Sequence, residues 1–291
     1  MPNTIPISVV IPAYNSQDCL RASIQSVQEQ TYPVREIIVV DDGSKDATAS
    51  VAFECGAKVI RQPNGGPAAA RNNGIRHAKS PWIALLDADD SWLPNKLERQ
   101  VLGITDDVSF LHTYCVIDET GPTTEDVVTF ETLWKRNTLG TSTILMRKSA
   151  WEDVGGFEED RGIMGVEDYN LWLRLVHKGH KVHTIRERLV HYTPADGNLS
   201  GQLERMMRSE LNNVEKIDKA CGLTPDQKRR KLVQIYEEWG RAMFHARDMK
   251  KARRCYGEIL SIQPRVHALV RWMATYMPVS LLNLRRTAVH A

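Results

Sequence analysis

Trp82-Ile83-Ala84-Leu85-Leu86-Asp87-Ala88-Asp89-Asp90-Ser91-Trp92 is the stretch that decides the fold. Five apolar residues in a row, without alternation, read as a strand covered on both faces, which is the position of a strand in a parallel sheet flanked by helices. The run ends abruptly in three carboxylates. Upstream, residues 7–11 form a second apolar run closed by Pro12, and 37–40 a third, closed by Asp41-Asp42-Gly43-Ser44. Residues 58–60 make one more short strand. Between these runs, 18–30 carry Leu20, Ile24 and Val27 at helical spacing until Tyr32-Pro33, and another helix-compatible stretch opens at Asp46. Short apolar strands separated by helices are βαβ units around a parallel sheet. Ligands on such sheets bind at the carboxyl ends of the strands. The chain places Tyr14-Asn15, Asp41-Asp42 and Asp87-Ala88-Asp89 there.

Downstream the periodicity weakens. Residues 108–116 and 142–146 read as strands, Asp118-Glu119-Thr120-Gly121-Pro122 as a turn. Gly155-Gly156-Phe157 leads to Glu167-Asp168, which open a helix with Leu171, Trp172, Leu175 and Val176 on one face. From about 201 the strands stop and the chain turns helical and basic, which sets a domain boundary near Ser200.

The composition fits a folded globular chain: of 291 residues, 42% are hydrophobic and 25% charged, which excludes disordered, collagen-like and coiled-coil classes. A net charge of +2 hides an asymmetry. Residues 201–291 hold 18 Lys/Arg against 9 Asp/Glu, and residues 1–200 hold 20 against 27. An acidic front half that meets a phosphate-bearing ligand needs a metal ion, whereas a basic tail suits an anionic surface such as phospholipid or nucleic acid. Five widely spaced cysteines, with no Cys-x-x-Cys pair, predict reduced thiols and no zinc site. No basic n-region precedes the first apolar run, so no secretory signal is read.

Asp87-Ala88-Asp89 is a hard-oxygen site for Mg²⁺ or Mn²⁺, or a set of turn and helix-cap residues before Ser91-Trp92-Leu93-Pro94. Asp41-Asp42 either shape a turn or accept hydrogen bonds from a base or ribose. In Asn64-Gly65-Gly66-Pro67-Ala68-Ala69-Ala70-Arg71-Asn72 a small-residue loop enters a helix. Either a ligand approaches that backbone, with Arg71 reaching phosphate, or the helix start is simply close-packed. Glu167-Asp168 complement a helix dipole, or one of them is a general base. Glycines at 155, 156, 162 and 165 suit a movable loop beside a substrate. His191 is a possible third metal ligand.

Taken in order, Ser8-Val9-Val10-Ile11-Pro12-Ala13-Tyr14-Asn15, Val40-Asp41-Asp42-Gly43-Ser44, Asn64-Gly65-Gly66-Pro67, Ala69-Ala70-Arg71-Asn72, Leu86-Asp87-Ala88-Asp89-Asp90 with Trp92, Gly155-Gly156-Phe157 and Glu167-Asp168-Tyr169 resemble the family 2 glycosyltransferases over about residues 5–200. The resemblance implies an α/β GT-A fold, a Rossmann-like and mainly parallel central sheet flanked by helices, with a C-terminal helical extension. It implies a catalytic domain over 1–200, with a nucleotide-sugar half at about 1–92 and an acceptor half at about 93–200, followed by a basic helical region at 201–291. Pro12, Tyr14, Asn15, Asp41 and Asp42 are similar to a donor base and ribose pocket, with Arg71 near the ribose or diphosphate. Asp87 looks like the ribose-side residue of an Asp-x-Asp pair and Asp89 like the ligand of Mn²⁺ or Mg²⁺. Asp168 looks like the catalytic base, with Glu167 beside it in the acceptor site.

The implied reaction is metal-dependent and inverting. A sugar moves from a nucleoside-diphosphate sugar, foremost a UDP-sugar, to a hydroxyl of a saccharide or lipid-linked acceptor in surface polysaccharide or glycoconjugate assembly. The implied setting is cytoplasmic, peripheral on the inner face of the cell membrane, with no nucleic-acid partner. One departure stands out: Tyr192-Thr193 replaces a Tyr-Arg common in the family, so residues 194–200 would grip the diphosphate differently. A sugar-nucleotide nucleotidyltransferase would need a Gly-rich, basic triphosphate loop after the first strand, which Pro12-Ala13-Tyr14-Asn15 lacks. A non-catalytic nucleotide-sugar-binding scaffold would have no use for both acidic pairs.

In the basic region Trp239-Gly240, Ala252, Tyr256 and Pro264 fall at the spacing of one tetratricopeptide-like helical hairpin. Residues 265–291 then predict an amphipathic helix with a narrow polar stripe of His267, Arg271 and Thr275, flanked by Arg265, Arg285 and Arg286. Its apolar face either lies on a membrane surface or packs on the catalytic domain.

Overall fold

The apolar runs become the centre of an eight-stranded sheet. A computed structural model describes residues 4–116, 127–193 and 203–278. Its strands are β1 (Ile7–Ala13), β2 (Glu36–Asp41), β3 (Lys58–Arg61), β4 (Trp82–Leu85), β5 (Ser91–Trp92), β6 (Val108–Cys115), β7 (Leu145–Arg147) and β8 (Lys181–His191). Their order is β3-β2-β1-β4-β7-β6-β8-β5. β1, β2, β3 and β4 pair in parallel, with Pro12 opposite Val40 and Ala13 opposite Asp41. The unalternated strands are buried as their composition demands: every residue of β4 is buried, and so is every residue of β1 except Pro12. The far half is mixed, since β7 runs antiparallel to β4 and β6, while β8 is parallel to β6 and antiparallel to β5.

Helices α1 (Leu20–Gln28), α2 (Thr48–Glu54), α3 (Pro67–His77), α4 (Lys96–Leu102), α5 (Phe130–Lys135), α6 (Lys148–Asp153) and α7 (Glu167–His177) connect these strands. α3 lies unusually close to the sheet. A Cβ on its Gly74 would stand 2.5 Å from Val10 Cγ1, inside van der Waals contact, so only glycine permits the approach. This closeness matters because α3 carries Arg71 and Asn72.

Two sequence expectations change here. Residues 142–146 are not one strand: Thr141–Thr143 form a 3₁₀ turn, and β7 begins at Leu145. The turn forms because Ser142 is drawn toward the acidic cluster, its Oγ lying 2.5 Å from Asp90 Oδ2. β8 was not read, because its side chains are mostly exposed or half-buried and carry no apolar run. The expected turn at 118–122 and the expected boundary at Ser200 lie outside the described residues.

The chain divides into two compact units, Met1–Asp196 and Gly197–Ala291. In the second, α8 (Leu203–Cys221), α9 (Pro225–His245), α10 (Met249–Ile262) and α11 (Val266–Ala274) pack around Val233, Met243, Ala252, Cys255, Tyr256, Ile259 and Ala268. α9 and α10 form a hairpin whose helices meet at Gly240, where an added Cβ would lie 3.2 Å from both Cys255 Cβ and the Tyr256 ring. α11 ends at Ala274, four residues before Pro278, rather than running through the expected 265–291; residues 279–291, with Arg285 and Arg286, lie outside the described part. Among the described residues no helix is long and apolar enough to cross a membrane.

Candidate functional site

Parallel pairing puts the strand-end residues side by side, and a buried arginine ties them to α7. Arg71, one turn into α3, is 5% exposed. Its Nη2 donates to Asp87 Oδ1 at 2.7 Å and its Nη1 to Glu167 Oε1 at 2.8 Å. The site therefore joins the acidic loop after β4 to the acidic start of α7. Charge-assisted bonds of this kind are short and strong, and the low dielectric strengthens them. The neighbouring Asn72 fixes the same junction: its Nδ2 donates to Phe157 O and its Oδ1 accepts from Phe157 N and Trp151 Nε1. Gly155 and Gly156, expected in a movable loop, are positive-φ turn residues, and Gly156 sits hard against Asn72 and Trp151.

Arg71, expected near ribose or diphosphate, has both terminal nitrogens held by carboxylates, and its Nε finds no acceptor among the described residues. Glu167, expected beside the base in the acceptor site, is turned inward. Its Oε2 accepts from Gly165 N at 2.6 Å while Oε1 takes Arg71, and the residue is 5% exposed.

Asp168 is placed differently. Enclosed by protein on most sides yet partly open to solvent, it accepts from Tyr169 N at 2.6 Å on Oδ1, and on Oδ2 has, among the described residues, a single 3.3 Å contact from Thr141 Oγ1. Burial and the adjacent Glu167 carboxylate push its pKa up to about 7, against the opposing pull of Arg71. A carboxyl poised near neutrality with one loosely held oxygen has the character of a general base.

Asp89 is half-buried, and burial together with Asp87 raises its pKa. Its own backbone N–H donates to its carboxylate. Asp90, a residue whose role the sequence left unassigned, is 5% exposed and braces this loop: it meets Ser142 on Oδ2 and accepts from Thr193 N on Oδ1 at 3.2 Å. Ser142 Oγ in turn accepts from Asp87 N. Burial pushes Asp90 up to about 7, with Asp87 adding to it and Ser142 opposing. His191 stands opposite Ser91 in the β5–β8 ladder with its side chain exposed. Among the described residues no three His, Cys, Asp or Glu side chains are grouped so as to hold a metal ion. A cation here would thus take few protein ligands and complete its shell with phosphate oxygens and water, as Mg²⁺ commonly does.

Near β1 and β2, Pro12 is half-buried, Tyr14 is 48% exposed, and Asn15 takes a positive φ of 49° while its Oδ1 accepts from Lys45 N. Asp41 and Asp42 are buried and internally bonded rather than open. Asp41 accepts from Ser44 N and Arg61 Nε; Asp42 accepts from the backbone N–H of Gly65 and Gly66 and from Gln62 Nε2. Asp42 therefore shapes the small-residue loop itself. Arg161, which sequence reading missed, clamps the same loop by donating to Asn64 O. Its only sequence signal was a cation four residues before Gly165.

This arrangement, a sheet whose strand ends gather an acidic loop and an acidic helix start, is the GT-A design. Residues 8–152 match the model of "Glycosyl transferase family 2". The chain is 31% identical over 180 residues to the Escherichia coli UDP-Glc:alpha-D-GlcNAc-diphosphoundecaprenol beta-1,3-glucosyltransferase WfgD, covering 58% of this chain and 69% of that relative. It is 32% identical over 187 residues to an uncharacterized glycosyltransferase of Rickettsia prowazekii, of which it spans 58%. A mannosyltransferase of Pyrobaculum calidifontis solved with GDP-Man and Mn²⁺ superposes with a TM-score of 0.67 at 17% identity, over 96% of this chain and 80% of that one. The chain belongs to glycosyl transferase family 2.

Proposed function

We propose that the chain transfers a sugar, with inversion, from a UDP-sugar to a hydroxyl of a saccharide or lipid-linked acceptor in surface polysaccharide assembly. The observation that carries this reading is Arg71 joining Asp87 to Glu167, which sets Asp168 across from the Asp87-Ala88-Asp89 loop. A relative named for UDP-Glc and a diphosphoundecaprenol-linked acceptor supports the donor and acceptor classes.

The acidic loop fits a divalent cation: Asp89 and Asp87 are hard-oxygen donors, and Arg71 is bonded to Asp87 while acting on Asp89 only through space. Asp89, with Asp87 beside it, would hold Mn²⁺ or Mg²⁺, which would supply charge neutralisation for a leaving nucleoside diphosphate. Tyr14, Pro12, Asn15, Asp41 and Asp42 border the donor's nucleoside end, the aspartates through the loops they shape. Asp168 accepts the acceptor's hydroxyl proton on Oδ2, the oxygen not held by Tyr169 N. The oxygen–anomeric carbon bond forms as the bond to the diphosphate breaks on the opposite face. Glu167 and Arg71 hold Asp168 and Asp87 in register rather than touching substrate. A cytoplasmic chain working at the inner membrane face meets both donor and lipid-linked acceptor.

Release of nucleoside diphosphate from a panel of nucleotide sugars, with and without Mn²⁺ and with a lipid-diphosphate saccharide acceptor, tests the proposal. Acceptor-dependent release from a UDP-sugar supports it; no release from any donor overturns it.

A further inference from the structure

α11 is held by its polar residues as well as by Ala268 and Trp272, which pack on the core of the unit. The polar positions recur every four residues and each bonds a neighbouring helix: half-exposed His267 Nε2 meets Glu237 on α9, Arg271 bonds the buried Tyr256 on α10, and Thr275, 2% exposed, accepts from Arg253 Nε at 3.0 Å. These bonds fix the rotation of the helix. Val266, Leu269, Val270, Met273, Tyr276 and Met277 are then left outward, between 43% and 81% exposed. Eleven large hydrophobic side chains are exposed among the described residues, and these six are more than half of them. They form one stripe rather than a scatter, and a contiguous exposed apolar patch marks an interaction surface.

The charges around the stripe are mostly basic, with Glu237 taken up by His267. Glu258 is the last acidic residue of the sequence, and Arg265 and Arg271 follow it. Arg265 stands at the start of α11 and donates to the neutral Gln263. At the other end Arg253 donates to Thr275 O and lies 3.5 Å from the centroid of the Tyr276 ring, with exposed Lys250 about one turn further along α10. Residues 203–278 together carry 16 Lys/Arg against 9 Asp/Glu. A second copy of the chain seated on this face by twofold symmetry would set these like charges against one another. An anionic bilayer instead offers acyl chains to the stripe and phosphates to its rim.

We propose that the outward face of α11 is a docking surface for an anionic phospholipid bilayer, on which the helix lies flat without crossing. The proposal deepens the membrane setting given above and rests on that reading for its purpose, though not for its chemistry. Flat insertion suits Pro278 and Arg271, which a spanning helix would not tolerate.

Flotation of the full chain with vesicles tests it. Phosphatidylglycerol/phosphatidylethanolamine vesicles should carry the protein, pure phosphatidylcholine vesicles should bind it at least tenfold more weakly, and raised salt should release it, since the basic rim is screened. Leu269→Glu with Met273→Glu should weaken binding by roughly 100-fold, about tenfold for each apolar side chain lost from the interface. Arg265→Glu should cost at least about fivefold on the anionic vesicles and nothing on the neutral ones. Helical content and nucleoside diphosphate release from a water-soluble donor should stay unchanged in all three proteins. Wild-type protein left in the dense fraction, or a double variant that floats like wild type, overturns the proposal. So does a stable wild-type dimer that the double variant dissociates without any vesicle binding. Flotation without nucleoside diphosphate release from any donor would defeat the glycosyltransferase reading and leave the surface standing.

Discussion

Arg71 and Glu167 meet at 2.8 Å across 96 residues of sequence, each with less than a tenth of its side chain exposed. This pair closes the site, because Arg71 is also bonded to Asp87 and Glu167 is also bonded to Gly165 N. Three segments, α3, the loop after β4 and the start of α7, are thereby held by two side chains. A buried pair of this kind is costly to form but far more costly to break, since removing one partner leaves an uncompensated charge.

Arg71→Met should therefore destabilise the first unit by about 3–5 kcal/mol, the range for breaking a buried ion pair. Glu167→Gln, which keeps the shape and can still accept from Arg71, should cost less. Urea unfolding of both variants checks the order. Equal, small losses would mean that the bridge contributes no stability.

Asp168 sets a pH dependence with a defined sign. Its folded pKa, near 7, lies above that of an unfolded aspartate at about 3.9. As a base it must be ionised, so turnover should rise with pH through about 7 and level off above it. Stability should run the other way: the cost of ionising Asp168 is absent below about pH 4, grows between pH 4 and 7, and is complete above 7. Asp168→Asn should lose turnover by roughly 100-fold or more while keeping donor affinity, and should gain stability over wild type at pH 8 but not at pH 4. A variant with near wild-type turnover removes Asp168 from the role of base.

Asp89→Ala should abolish the part of donor binding that depends on Mn²⁺. Without that carboxylate, a nucleoside diphosphate meets Asp87 and Asp90 with no bridging cation. Calorimetric titration of UDP with and without Mn²⁺ measures the difference. Unchanged metal-dependent affinity would show that the cation is held elsewhere.

The parallel half of the sheet was legible because β1, β2 and β4 are buried on both faces, so their sequences are apolar without alternation and the acidic loops after them stand out. Asp87 and Asp89 could be located by the same contrast, and Asp168 by the acidic pair that opens an apolar-faced helix. What Arg71, Glu167 and Asp42 do was not legible: an arginine or glutamate in a linear pattern looks alike whether it faces ligand or another side chain, and only the approach of α3 to the sheet at Gly74 and Val10 decides between them. Ser142 and Arg161 lacked any pattern, since each acts through hydrogen bonds to a segment far away in sequence. β8 escaped because a half-exposed strand of charged residues has no apolar signature.

Lys96 provides a test free of any ligand. Its side chain is fully buried on α4, with Nζ 2.9 Å from Gln100 Oε1 and 4.0 Å from the centroid of the Trp92 ring, and Trp92 Nε1 donates to Ser142 O beneath the acidic loop. Burial drives its pKa well below that of a free lysine. The unfolded chain holds the amine protonated below about pH 10, whereas the fold prefers it neutral, so each step down in pH through that window costs stability. Lys96→Met fills a similar volume and carries no proton. It leaves Gln100 Oε1 without its donor, a penalty of about 1–3 kcal/mol that does not vary with pH. The variant should consequently look worst against wild type at pH 9.5 and gain steadily on it as the pH falls to 6. Urea unfolding at pH 6, 8 and 9.5 reads that slope directly. A constant difference across the three would mean that Lys96 keeps its proton in the folded state.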